Sequence, residues 1–269
     1  SFGLIGLKQI NNVLIFDKKS LLRRIKLALK IRKEKYDLVF DFFGNPSSAQ
    51  ITFFSNAKFR IGFPFRGRKY AYNYFGPSER AKWHNAILHL KVLEKFGFST
   101  HHKNLLFALD NEAKIFAEEY FKNTFDENDF VVGISTTGSW QSKKCDPEIF
   151  ADIAENVINK YSAKILIIWG KGDEEDSKKL FDLLKGKSIL APETSIQQMA
   201  GLISKCKFII ANDSGPMHIS TAIGTPVLSI HGPTAPQLQG PFGEKHEWIN
   251  LPDLDCIVCN LLVCPKQHE

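Results

Sequence analysis

Nothing in this 269-residue chain is long and apolar enough to cross a membrane, since no run of roughly 18 apolar residues occurs. The uncharged stretch 214–243 is broken repeatedly by glycine and proline and cannot form a spanning helix. No secretory signal pattern opens the residues at hand. Cysteine is scarce and odd in number, at five, which argues against a disulfide framework and fits a reducing compartment. The most familiar phosphate loops are also missing. There is no G-x-x-x-x-G-K-[ST], and "GKGDEE" (170–175) carries two glycines of G-x-G-x-x-G without the third. No repeat of fixed period and no low-complexity tract is present.

What remains is a chain with 43% hydrophobic residues, enough to bury the cores of one or two domains. The net charge of +6 hides an asymmetry. Residues 1–125 hold 22 Lys and Arg against 10 Asp and Glu, a net of +12; residues 126–269 hold 13 against 19, a net of −6. A basic half joined to an acidic half suggests two domains with different partners. The basic half favours phosphate, nucleic acid or an anionic membrane surface.

Periodicity divides the chain further. In 18–35, Leu21, Leu22, Ile25, Leu29 and Ile31 form an apolar stripe, which predicts a basic helix. Strands are expected at 36–42 and 59–63, and helices at 84–97 and 111–123. The polar stretch "TFDENDF" (124–130) is the expected junction, giving lobes 1–125 and 126–269. The second lobe alternates regularly, with strands at 130–135, 163–170, 188–190, 207–212 and 226–231. Helices are expected between them at 146–161, 173–186, 195–206 and 215–224. Such alternation with short loops predicts an α/β fold with a parallel sheet covered on both faces. In these sheets ligands sit beyond the carboxyl ends of the strands. Three polar loops stand there: 135–144, 169–176 and 212–218.

Each loop has a plain and a chemical interpretation. In "NDSGPMH" (212–218) either Asp213 or Ser214 can cap the helix that follows, as ordinary helix starts require. The same bare N–H groups, approached closely at Gly215, make an anion site. His218 taken alone is read as a satisfied core histidine. Loop 135–144 offers Ser135, Thr136, Thr137, Gly138 and Ser139, then Lys143 and Lys144. That set suits a diphosphate, or is simply a solvated turn before a helix. Asp173, Glu174 and Glu175 stand at a helix start, where acids are favoured anyway, and a carboxylate there can also accept from ribose hydroxyls.

Taken together, "KFIIANDSGPMHISTAIGTPVLSIHGPT" (207–234) resembles the signature of glycosyltransferase family 9, the ADP-heptose:lipopolysaccharide heptosyltransferases. "GSWQSKKCDPEIFADI" (138–153) is similar to that family's lysine-bearing element, and "IIWGKGDEED" (167–176) to its strand-Gly-acid element. "KYDLVFDFFGNPSSA" (35–49), "AKFRIGF" (57–63) and the helix led by His84 are similar too. The resemblance implies a GT-B-like fold of two Rossmann-like lobes with parallel sheets, the nucleotide sugar in the second lobe and the acceptor on the first. It implies inverting transfer of a heptose, or a related sugar, from an ADP-sugar to a lipopolysaccharide core. No cofactor is implied beyond the ADP-sugar donor. By position, Thr137, Gly138 and Ser139 fall at the phosphates, and Lys143 at the phosphate and heptose. Glu174 falls at the ribose, Thr194 beside the adenine, and Asp213 at the donor sugar. Ser214, Gly215 and His218 open the diphosphate-binding helix. Lys143 and Asp213 are the expected catalytic pair.

Two departures from the family pattern stand out. Its opening strand, Gly-Asp turn and helix carry an aspartate that resembles the general base. "SFGLIGL" has no Gly-Asp, so the first lobe is expected to lack this unit and its base to precede Ser1, with Asp41 a poor substitute. Cys145 stands where the family has tryptophan. Near the other end, Cys256, Cys259 and Cys264 with His268 have a zinc-like spacing, although similar cysteine tails recur in the family outside its catalytic apparatus. The expected location is the cytoplasm, with the basic lobe against the anionic inner-membrane surface. Two further readings stay open: a catalytically silent sugar-nucleotide-binding module and a basic nucleic-acid-binding protein. No recognised nucleic-acid motif supports the second, and no nucleic acid is expected as partner.

Overall fold

A computed structural model describes residues 7–17, 20–101 and 104–266. It divides into two compact units, Asn12–Lys103 and Ser1–Asn11 with Asn104–Glu269. In the first unit, α1 (Leu21–Lys33) starts at Ser20, whose hydroxyl accepts from the Arg23 N–H, and ends on Lys30, Arg32 and Lys33. The basic last turn complements the helix dipole. The apolar stripe does form a helix, yet none of its residues is fully buried, and Leu22 is 72% exposed. Strand β1 (Leu38–Asp41) leads to α2 (Pro46–Phe54), β2 (Phe59–Gly62), β3 (Tyr74–Phe75) and α3 (Asn85–Lys95). The strands pair in the order β1-β2-β3, all parallel. Ile61, Phe63, Leu88 and Val92 make the core behind them. Helix α2 opens on a reciprocal cap between Asn45 and Ser48, with Pro46 at its start.

The second unit contains α4 (Asn111–Thr124), β4 (Val131–Ser135), α5 (Pro147–Tyr161), β5 (Lys164–Ile167), α6 (Glu174–Leu183) and β6 (Ser188–Leu190). It continues through α7 (Ile196–Lys205), β7 (Phe208–Asn212), α8 (Gly215–Ile223), β8 (Val227–Ile230), α9 (Pro236–Gln239) and β9 (Glu247–Ile249). Its six strands run parallel in the order β6-β5-β4-β7-β8-β9. Alternate residues of each strand enter opposite cores. Val131, Leu166 and Ile209 join one, with Leu202 and Met217. Val132, Ile165 and Ile210 join the other, with Phe150 and Leu180. This explains the near-continuous apolar strands, because both faces are covered.

The division falls before α4 rather than at 125/126. Helix α4 packs on α7, and the contact depends on Gly201: a Cβ there would lie 2.6 Å from the Ala113 carbonyl oxygen. A polar junction at 124–130 marked a turn inside the unit, not its edge. Gly201→Val should therefore force the two helices apart and lower stability by about 2 kcal/mol, the usual scale for overpacking. Urea unfolding of the chain and the variant measures this; equal midpoints would show that the helices yield freely.

Candidate functional site

Strands β4 and β7 are neighbours, but β4 connects onward toward β5 and β7 onward toward β8. The connections diverge, leaving a crevice at the carboxyl ends of these two strands, where parallel sheets bind ligands. The loop after β4 carries residues 136–146, and the turn after β7 carries Asp213 and Ser214. Asn212, the last residue of β7, joins the two. Its Nδ2 donates to the Thr136 carbonyl at 2.9 Å, and its Oδ1 accepts from the Cys145 N–H at 3.1 Å.

This bracing brings Lys143 to Asp213, with Nζ 2.7 Å from Oδ2. Asp213 is 2% exposed, so its charge survives only with partners. Thr234 Oγ1 donates to the same Oδ2 at 2.5 Å. Burial works against the carboxylate, but the bonds from Lys143 and Thr234 outweigh it and set its pKa below the usual value. The Lys143 ammonium also lies 4.6 Å from the centre of the Trp140 ring.

Behind the pair lies His231, whose Nδ1 is 3.4 Å from Thr234 Oγ1 and whose Nε2 is 2.9 Å from Ser229 Oγ. Burial lowers its pKa to about 4, so the ring is neutral at neutral pH. Thr234 already gives its proton to Asp213. Nδ1–H then points at Thr234 and Nε2 accepts from Ser229, and every group in the chain is satisfied.

Other residues expected at the site take varied positions. Gly138 is buried, and its N–H reaches the Asp173 carboxylate at 3.5 Å. A Cβ there would meet the Lys144 side chain at 2.6 Å. Thr137 accepts from Ser135, and Ser139 is exposed. Lys144 turns away from Asp213 to Asp176 at 2.6 Å and Asp173 at 3.4 Å, tying loop 135–144 to loop 169–176. Its pKa is raised, first by the Asp176 bond. Glu174 lies on the surface of α6, paired with Lys178. Thr194 Oγ1 is buried without a hydrogen-bond partner among the described residues.

At α8 the helix begins at Ser214, but neither candidate side chain caps it. Ser214 Oγ donates instead to the Asn212 carbonyl at 3.1 Å, and Asp213 is engaged by Lys143 and Thr234. Gly215 is exposed, and a Cβ added there would have no neighbour within 4 Å among the described residues. His218 is exposed as well, not a core histidine. The crevice thus presents an ammonium group and an uncapped helix start side by side, which suits an anion.

Asp41, the weak base candidate, is held by four hydrogen bonds within the first unit. Oδ1 accepts from the N–H groups of Phe43 and Gly44, at 3.1 and 2.8 Å. Oδ2 accepts from Ser48 at 2.8 Å and Tyr72 at 2.6 Å. A carboxylate so engaged organises the turn after β1. Cys145 is half-buried, and burial pushes its thiol up to about 11. None of the five cysteines forms a disulfide. Cys264 donates to the Lys266 carbonyl. Among the described residues no three His, Cys, Asp or Glu side chains are grouped to hold a metal ion, and His268 lies outside those residues.

Sequence inspection missed Asn212, Thr234 and His231. Their neighbour Asp213 was conspicuous, but these three act across strands.

The model of glycosyltransferase family 9 (heptosyltransferase) matches residues 24–268. A lipooligosaccharide heptosyltransferase 2 of Campylobacter jejuni serotype O:6 is 29% identical over 268 residues, covering 96% of this chain and 78% of that protein. A glycosyltransferase family 9 structure from Veillonella parvula superposes with a TM-score of 0.81 at 23% identity, covering 91% of this chain and 72% of the other. An Escherichia coli heptosyltransferase, WaaC, crystallised with ADP, gives a TM-score of 0.67 at 19% identity, covering 91% and 75%. The α/β, GT-B-like class expected from the sequence is the class of these structures.

Proposed function

The chain belongs to glycosyltransferase family 9, the heptosyltransferases, and on that premise we propose that it transfers a heptose from ADP-heptose to a lipopolysaccharide core acceptor with inversion. The observation that carries this is the Lys143–Asp213 pair beside the uncapped start of α8. A diphosphate placed there accepts from the backbone N–H groups that follow Ser214 while Lys143 meets its charge. As the sugar–phosphate bond breaks, negative charge accumulates on the departing ADP, and a preorganised ammonium stabilises it more than it stabilises the bound donor. Asp213 holds that ammonium in place and faces the donor sugar. The ribose lies toward Glu174 and the adenine beside Thr194, whose buried hydroxyl, without a partner among the described residues, gives the base a polar contact. Gly138 and Ser139 lie along the phosphates with Thr137.

The acceptor belongs to the basic half, where the +12 net charge complements a phosphorylated or acidic core. The same charge draws this half to the anionic cytoplasmic leaflet, each basic residue at the surface contributing ~1 kcal/mol. Inverting transfer also requires a base for the acceptor hydroxyl, and Asp41 remains a poor candidate because both its oxygens are engaged by the turn after β1, Ser48 and Tyr72.

Calorimetric titration with ADP tests the donor site. Saturable binding is expected, and Gly215→Trp should weaken it by at least about tenfold, or 1.4 kcal/mol, by filling the approach to the helix start. Equal affinity in the variant would remove ADP from this crevice.

A further inference from the structure

Among the described residues after β9 there is neither helix nor strand, yet residues 258–262 are tied at four points. The Ser142 N–H donates to the Leu262 carbonyl at 3.2 Å, and Ser142 Oγ to the Leu261 carbonyl at 2.5 Å. The Val258 N–H donates to the Gly232 carbonyl at 3.1 Å, and the Asn260 N–H to the Pro233 carbonyl at 2.8 Å. Ser142 immediately precedes Lys143, and Gly232 and Pro233 immediately precede Thr234. Lys143 and Thr234 are the two groups that hold Asp213 Oδ2. One segment is therefore bonded to both turns that carry the partners of Asp213.

Apolar burial does not explain this attachment. Leu261, Leu262 and Val263 are 46%, 60% and 59% exposed. A cavity of about 580 Å³ lies beside the segment, lined in part by Ser142, Cys145, Gly232, Pro233 and Cys259. The two donors, Val258 and Asn260, have φ of 62° and 57°. The left-handed region is costly for a β-branched valine and persists only where surrounding bonds enforce it. The bonds to residues 232 and 233 supply that enforcement here.

We propose that residues 258–262 are a positioning strap, which sets the separation of the two turns so that Lys143 and Thr234 converge on Asp213, with Ser142 as its main positioning residue. The strap touches no reacting atom. It acts through the turns, and its effect on turnover rests on the function proposed above for Lys143.

Ser142→Ala in the full chain removes one strap bond and no packing. Amide hydrogen exchange and kinetics are then read on the same samples. The Ser142 main-chain carbonyl lies beside Gly232, but its hydroxyl is bonded to Leu261 and not to residues 231–235, so exchange there should quicken several-fold only if the strap carries the loss of that hydroxyl to the far turn. Turnover of ADP-heptose should fall about tenfold, on the scale of small misplacements of a charged group, with ADP affinity within about threefold. Ser142→Thr, which restores a hydroxyl, should recover both readings. Unchanged exchange at 231–235 would overturn the strap. Faster exchange with undiminished kcat would overturn its positioning role. Absence of heptose transfer in a chain extended upstream of Ser1 to include the family's Gly-Asp turn would refute the proposed function and still leave the exchange reading to judge the strap.

Discussion

Replacing Lys143 by alanine is expected to lower kcat about 100-fold while changing ADP affinity less than about threefold. The asymmetry follows from where charge appears. Under the proposed function, the bound donor already bears its diphosphate charge, shared with the N–H groups at the start of α8. Charge added as the bond to the sugar breaks has Lys143 as the ammonium beside Asp213. The variant carries a second penalty, because Asp213 is buried and loses the stronger of the partners that keep it ionised. Removing one member of a buried pair costs about 3 kcal/mol. Steady-state kinetics must therefore be run well below the melting temperature of the variant, with ADP calorimetry alongside. A fall in kcat below about threefold would leave the lysine as a support of its loop.

Between pH 6.5 and about 4 the folded chain should lose about 3 kcal/mol of stability through His231 alone. Burial lowers the folded-state pKa of this ring from 6.5 to about 4. The unfolded chain thus binds a proton in this window that the folded chain refuses, and stability rises with pH. The contribution is complete above 6.5, drains as pH falls, and is exhausted near 4; each pKa unit is worth about 1.4 kcal/mol. Asp213 acts in a separate window. Its depressed pKa supplies stability above 3.8 that disappears only at lower pH. Urea unfolding across pH 4 to 7 for the chain and for His231→Phe separates the two. The variant should show a flatter dependence than the parent by about that amount, whatever its absolute stability. Parallel curves would mean that the imidazole is not neutral in the folded protein.

The alternation of strands and helices was legible because each long element carried its own period and a terminator. The loops beyond β4, β5 and β7 could be picked out as a crevice without any tertiary information, and Lys143 and Asp213 do meet there. Helix α2 escaped notice although Asn45 and Pro46 announce its start, since the apolar residues of "PSSAQITFF" follow no single face. Strand β3 has two residues, too few to show a period. Helix α4 was assigned to the wrong unit because its partner α7 lies far along the chain. Asn212, Thr234 and His231 were invisible for a related reason: their meaning is set by β8 lying beside β7 and by the loop from β4, and no local pattern encodes either. The exposed stripe on α1 shows the opposite limit. Periodicity reports that a face exists and says nothing of what it covers.

The strand order has a consequence for synthesis. Strand β4 pairs with β5 on one side and β7 on the other, but the ribosome delivers β5 and β6 much earlier than β7. Until residue 212 has emerged, β4 presents an unpaired apolar edge, and Lys143 waits without its counter-charge. Parallel pairings across such separations form slowly, and open edges recruit other chains. The central pairing that creates the crevice is thus also the step at which a nascent or prematurely terminated chain is most exposed to aggregation.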